Sequence, residues 1–246
     1  MQLFYHPQID AKAKEVVFDK TESHHMVKVL RYHVGQKITV TNGVGTIFEA
    51  ELTLTSPKKC TALILSSHTQ ALPKYRIHVG IAPTKNIDRF EWFVEKATEM
   101  GVASITPIIC AHSERKTIKH DRIEKRVDAA TKQSLSAYRP MIHPLMRFSD
   151  FLEQNESAEH KFIAHCHQDD MPHLLTKAPV HKSYTVLIGP EGDFSPSEIQ
   201  QALEQNYMQI SLGTQRLRTE TAGIAAVHTL NLLQITGQDW SIDQVK

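Results

Sequence analysis

The pattern of hydrophobic and polar positions changes character near residue 72. Before it, apolar residues alternate with polar ones. Lys37–Thr41, Thr46–Leu54 and Cys60–Leu65 read as strands, with Asn42-Gly43 as a turn and Gly45 close behind. One short helix is expected over Thr21–Leu30, with Ser23 able to cap its start and Gly35 just past its end. Several short strands joined by turns predict a small β-barrel over residues 1–71. Thr69–Pro73 is the candidate link to the rest of the chain.

From residue 75 strands and helices alternate. Ile77–Ile81, Val102–Cys110, Lys161–His165, Tyr184–Ile188 and Gln209–Leu212 read as strands. Ile87–Met100 carries Ile87, Phe90, Val94 and Ala97 at helical spacing, and Gly101 ends it. Ile118 to about Tyr138 is a basic helix that should end near Pro140. Ser195 opens another, with Pro196 at its first position and Glu198 three residues after the cap, a capping box. The last helix, from Thr219 or Glu220 to Thr236, is apolar almost all round, so either the core or a second subunit covers it. Such alternation predicts a mostly parallel sheet with helices on both faces over residues 72–246, and ligands bind such sheets at the carboxyl ends of strands.

Composition narrows the class. A hydrophobic content of 41% supports a globular core. No apolar run reaches the roughly 18–20 residues of a membrane span, and the N-terminus does not read as a signal peptide. Cys60, Cys110 and Cys166, an odd number spread widely, fit reduced thiols in a cytoplasm. The net charge of +1 hides an asymmetry. Residues 1–72 carry 8 basic and 6 acidic side chains, hence +2; residues 73–150 carry 14 and 9, hence +5; residues 151–246 carry 6 and 12, hence −6. A basic middle permits contact with a polyanion, although a solvated helix face has the same composition.

Candidate chemistry collects in two glycine turns within 35 residues of each other, each between a strand and a helix. Gly189-Pro190-Glu191-Gly192 offers backbone N–H groups, a stiffened turn and a carboxylate. Leu212-Gly213 leads to Arg216 and Arg218 on one side of an extended segment and to Glu220 at the first turn of a helix. Taken singly, each has a structural alternative: an ordinary turn, a helix-end charge or a surface ion pair. Arg115, Lys116, Lys119, Arg122, Lys125 and Arg126 form a basic run suited to phosphates. His165, His167 and His173 raise a metal reading, but no second cluster has zinc-like spacing, so a loop beside the glycine turns is preferred. Cys166 reads as a buried thiol without a partner base, and no serine-hydrolase turn is present.

These motifs resemble one family. Ile188–Gly192 with Glu198, then Leu212-Gly213 and Leu217–Ala222, are similar to the RsmE family, SPOUT-class 16S rRNA uridine N3-methyltransferases. Upstream, Lys28–Arg31 with Gly35, Glu95–Val102, Ser113–Arg115, and Gln133-Ser134 followed by Pro140 resemble its other signatures, so the likeness spans nearly the whole chain in one order. Asp193 stands where a second glycine is usual, Gln215-Arg216 where an arginine and an aliphatic residue are usual, and Ser136 in place of an arginine.

The resemblance implies a PUA-like barrel before a SPOUT domain, an α/β fold whose mostly parallel sheet closes in a trefoil knot. It further implies a homodimer, S-adenosylmethionine as cofactor, no metal, and methylation of N3 of a uridine in 16S rRNA on the assembled small subunit. His165, Ile188, Gly189, Pro190, Glu191, Gly192, Leu212, Gly213, Leu217, Arg218 and Thr221 would hold the cofactor. Arg218 and Glu220 would act on the base, Glu220 either holding Arg218 or taking the proton. Arg31, Arg115, Lys116 and Arg139 would contact RNA. The competing class is a non-catalytic RNA-binding or ribosome-assembly protein that keeps the fold.

Overall fold

The computed structural model describes residues 2–154, 158–168 and 170–236. The chain forms two compact units: residues up to Leu72 together with Asp128–Arg139, and Pro73–Val127 together with the chain from Pro140 onward.

In the first unit, β1 (Leu3–Tyr5), β2 (Glu15–Val17), β3 (Lys37–Thr41), β4 (Thr46–Leu54) and β5 (Thr61–Thr69) form one sheet in the order β1-β3-β4-β5-β2. Only β1 and β3 run parallel. The β3–β4 turn is built by Asn42, whose side-chain oxygen accepts from the N–H groups of Val44 and Thr46, each at 3.0 Å. Phe4, Phe18, Met26, Val40 and Phe48 fill this unit's core. The expected helix is shorter: α1 (Lys20–His24) runs directly into a π-helical turn over His25–Val29. Ser23 is not its cap. Asp19 caps it by accepting from the Glu22 N–H at 2.8 Å, whereas Ser23 is buried and donates to the Phe18 carbonyl.

The second unit continues with β6 (Arg76–Ile81), α2 (Ile87–Glu99), β7 (Ser104–Ile109), α3 (His120–Gln133), β8 (Met141–Ile142), β9 (Met146–Arg147) and α4 (Phe148–Gln154). It ends with β10 (His160–Ala164), α5 (Leu174–Lys177), β11 (Ser183–Ile188), α6 (Pro196–Glu204), β12 (Met208–Ile210) and α7 (Thr219–Thr236). The last turns of α3 belong to the first unit. This helix stops at Gln133, before Leu135 in the left-handed region, rather than near Pro140. The sheet is parallel throughout, in the order β12-β10-β11-β6-β7-β8, with β9 also on β7. Buried side chains on both faces give the near-continuous apolar strands that parallel sheets require.

The capping box at α6 forms as expected: Ser195 Oγ accepts from the Glu198 N–H, and the Glu198 carboxylate accepts from the Ser195 N–H. Helix α7 buries Ala226, Val227, Leu230 and Leu233 in the unit's own core and leaves Leu232 and Ile235 exposed.

Candidate functional site

Three strands end level. Ala164 of β10 is in register with both Ile188 of β11 and Ile210 of β12. Their exit loops therefore emerge side by side at the carboxyl edge, and between them lies a cavity of about 290 Å³. That is close to the lower end of the ~300–1,000 Å³ usual for ligand pockets.

Its walls come from residues of opposite character. Ala164, Ile188, Ile210, Leu212, Leu217 and Ala222 supply apolar surface. Gly189, Pro190, Glu191 and Gly213 supply backbone, and Gly213 has φ +135°, open only to glycine. The loops are tied together. Thr219 Oγ1 donates to the Gly189 carbonyl at 3.0 Å, and Arg216 reaches the Glu191 carbonyl at 3.4 Å. Arg218 lines the cavity and is exposed, and among the described residues its guanidinium has no hydrogen-bond or ion-pair partner.

The third wall is the loop after β10. His165 Nδ1 accepts from the His167 N–H at 3.2 Å, which makes Nε2 the donor to Gln209 Oε1 at 2.8 Å. Burial holds the imidazole below its usual range, so it is neutral. Asp193 fastens this loop to the first glycine turn. It has φ +63°, and its carboxylate accepts from the N–H groups of Cys166 and Phe194, each at 2.8 Å. His167 Nε2 donates to the Phe194 carbonyl at 2.8 Å.

Of the residues expected at the cofactor, His165, Ile188, Gly189, Pro190, Glu191, Leu212, Gly213, Leu217 and Arg218 line one cavity. Gly192 and Thr221 are not among its walls. Gly192 packs under His112, where an added Cβ would come within 2.9 Å of the His112 Cβ, and Thr221 is exposed on α7. Glu220 is buried, is not a cavity wall, and its carboxylate lies 3.8 Å from Arg89 of α2.

The expectation of a buried Cys166 thiol is corrected. Cys166 is exposed, because its loop stands clear of the sheet at the cavity's edge. His173 caps α5 by accepting from the Leu175 N–H, and no group of three metal-ligating side chains occurs among the described residues.

The basic candidates lie outside the cavity. Arg31 is exposed with φ +58°, just after the π-helical turn, and Lys116 is exposed. Arg139 donates to Asp128 at 2.7 Å and lies 5.6 Å from the Tyr5 ring. Arg115 donates to two backbone carbonyls, those of Thr84 and Lys85. The contributions of Thr219, Asp193 and Gln209 leave no local mark in the sequence, because each depends on a partner at least 27 residues away.

Glycine turns at the carboxyl edge of a parallel sheet, around a ligand-sized cavity and after a separate β unit, define an α/β protein with a small-molecule site at its strand ends. Residues 70–231 match the family of RNA methyltransferase domains, and residues 18–65 match the RNA methyltransferase PUA domain. The chain belongs to this RNA methyltransferase family, and within it to the RsmE group. It is 34% identical to a probable rRNA-methyltransferase from Porphyromonas gingivalis, with TM-score 0.88 over 97% of this chain and 100% of that one. A ribosomal RNA small subunit methyltransferase E from Neisseria gonorrhoeae, solved bound to S-adenosyl methionine, is 27% identical, with TM-score 0.82 over 95% and 98%. The Rickettsia conorii protein of the same name is 26% identical over 85% of this chain and 86% of its own length. The expected fold class, a PUA-like β unit before a SPOUT-type parallel α/β unit, is borne out.

Proposed function

We propose that this protein transfers a methyl group from S-adenosylmethionine to N3 of a uridine in 16S rRNA of the assembled small ribosomal subunit. The observation that carries the reading is the level ending of β10, β11 and β12, which brings two glycine turns, an apolar wall and Arg218 around one cavity.

The donor set suits the cofactor. Apolar walls from Ile188, Leu212 and Leu217 accept an adenine ring, and the exposed backbone of both turns suits ribose and amino-acid groups. When bound, the cofactor supplies a methyl group on a positively charged sulfur. The protein's part is to hold the acceptor nitrogen in line and stabilise the anion left when its proton departs. In this reading Arg218, a wall of the cavity, does so through a uracil carbonyl oxygen. Glu220, paired with Arg89, fits a supporting role at the start of α7 better than that of a base.

The reading includes RNA contacts at Arg31, Lys116 and Arg139, a cytoplasmic location, and a homodimer. The dimer is supported by Trp92, Leu232 and Ile235, exposed on two helices that pack against each other. It also includes trefoil threading of the C-terminal strands, supported by the place of β10 between β12 and β11.

The test is methyl transfer from labelled S-adenosylmethionine to small subunits purified from cells lacking this gene, followed by mass spectrometry of the rRNA. A new N3-methyluridine is expected. Cofactor binding without any rRNA methylation would favour an assembly protein instead.

A further inference from the structure

Outside the cavity, the loop leaving β7, Cys110–Arg115, is fixed at almost every residue. Ser113 Oγ accepts from the Cys110 N–H at 2.9 Å, and Glu198 accepts from the Ala111 N–H at 2.8 Å. His112 Nδ1 lies 3.0 Å from the carbonyl oxygens of both Gly192 and Asp193, so that nitrogen carries the proton. Arg115 donates through Nε to the Thr84 carbonyl at 3.0 Å and through Nη2 to the Lys85 carbonyl at 2.6 Å. One short loop thus spans the exits of both β6 and β11.

The loop it reaches, Thr84–Asn86, is held from both sides. Glu191, a wall of the cofactor cavity, accepts from the Lys85 N–H at 2.8 Å. Thr84 is buried, and its hydroxyl donates to the Asn86 carbonyl at 2.6 Å. Sheet order explains the consequence. The cavity uses the exits of β10, β11 and β12, and β6 is the neighbour of β11 on the side away from β10. The exit of β6 therefore borders the cavity where no cavity-lining loop stands, beside Glu191.

We propose that Thr84–Asn86 forms the acceptor-side wall of the transfer site, and that Arg115 is a positioning residue that fixes this wall through two carbonyl hydrogen bonds rather than a ligand for an RNA phosphate. The proposal rests on the reading of the chain as an rRNA methyltransferase. The chemistry separates the two roles. A guanidinium fork holds two carbonyls in one plane, which a lysine ammonium does not reproduce, whereas a phosphate accepts either cation. A phosphate contact also carries a salt dependence of about one unit in log–log slope.

The experiment measures methyl transfer to small subunits from cells lacking this gene for wild type, Arg115→Lys and Arg115→Ala, with S-adenosylmethionine affinity measured by calorimetry on the same preparations. Both variants should bind the cofactor within about twofold of wild type, lose about tenfold or more in kcat, and keep KM for the subunit and its salt slope. Three results would overturn the proposal. They are wild-type kcat in Arg115→Lys, a loss confined to KM with a salt slope smaller by about one, or a comparable loss of cofactor affinity in both variants. Wild-type protein that binds cofactor yet methylates no rRNA would instead overturn the underlying reading, before any variant is compared.

Discussion

The carboxylate of Asp193 accepts a hydrogen bond from the backbone N–H of Cys166 at 2.8 Å, joining loops that follow different strands. Asp193 sits at φ +63°, where glycine is the unstrained choice. This chain accepts about 1–2 kcal/mol of backbone strain and gains two charge-assisted hydrogen bonds of roughly 1.5–3 kcal/mol each. Asp193→Gly should therefore weaken cofactor binding about tenfold despite relieving the backbone, with Asp193→Asn intermediate. Calorimetry with S-adenosylmethionine checks this, and unchanged affinity in both variants would show that the link does not shape the cavity.

His165 gives the site a pH limit. Its native pKa is lowered by burial, so the unfolded state binds the proton more readily. The resulting stability is complete above the unfolded value of about 6.5 and is lost as pH falls through the lower native value. The melting temperature should decline below about pH 6.5. His165→Gln should flatten that part of the curve, as thermal melts across the range would read.

Arg218→Ala should lower kcat by about 10²–10³-fold, the usual cost of removing one donor to a developing anion. Because its guanidinium has no partner among the described residues, cofactor affinity should change by no more than a few-fold. A variant with wild-type kcat would reject the role.

Glu220 tests the competing assignment of a base. Its partner Arg89 is 43% exposed, so solvent screening keeps their pairing to about 1 kcal/mol or less. Glu220→Gln should cost about that in stability and leave single-turnover transfer within about tenfold of wild type. A loss beyond about 10³-fold with intact cofactor binding would make Glu220 the base after all.

Gly223 is where α7 crosses α2. A Cβ there would lie 2.5 Å from Phe93 Cε2 and 3.0 Å from Ile81 Cδ1. Gly223→Ala should destabilise the protein by about 1–3 kcal/mol, more than the ~1 kcal/mol gained in helix propensity. A denaturant melt showing a higher midpoint would contradict the packing.

What was legible in the chain was local or periodic. Ser195, Pro196 and Glu198 announce a helix start within four residues, and it forms as read. The longer strands of the parallel sheet, β6, β7, β10 and β11, are legible because both faces of the sheet are apolar. Ser23 has the residue type of a cap, but its hydroxyl is engaged elsewhere: it donates to the Phe18 carbonyl and accepts from the Cys60 N–H. The two-residue strands Met141–Ile142 and Met146–Arg147 are too short to show a period. The glycine turns announced the cavity, whereas the pairing of Glu220 with Arg89 spans 131 positions and left no local trace.

The level ending of β10, β11 and β12 also sets how much of the chain the cavity requires. Every cavity wall lies between Ala164 and Ala222, and β11, which carries the first glycine turn, pairs with β6 made more than a hundred residues earlier. A chain shortened to end at Gly192 would keep the sequences of β6, β7, β10 and β11 and lack β12 with every wall from Ile210 to Ala222. The cavity is completed only by β12 and the start of α7, so such a shortened chain should not bind the cofactor.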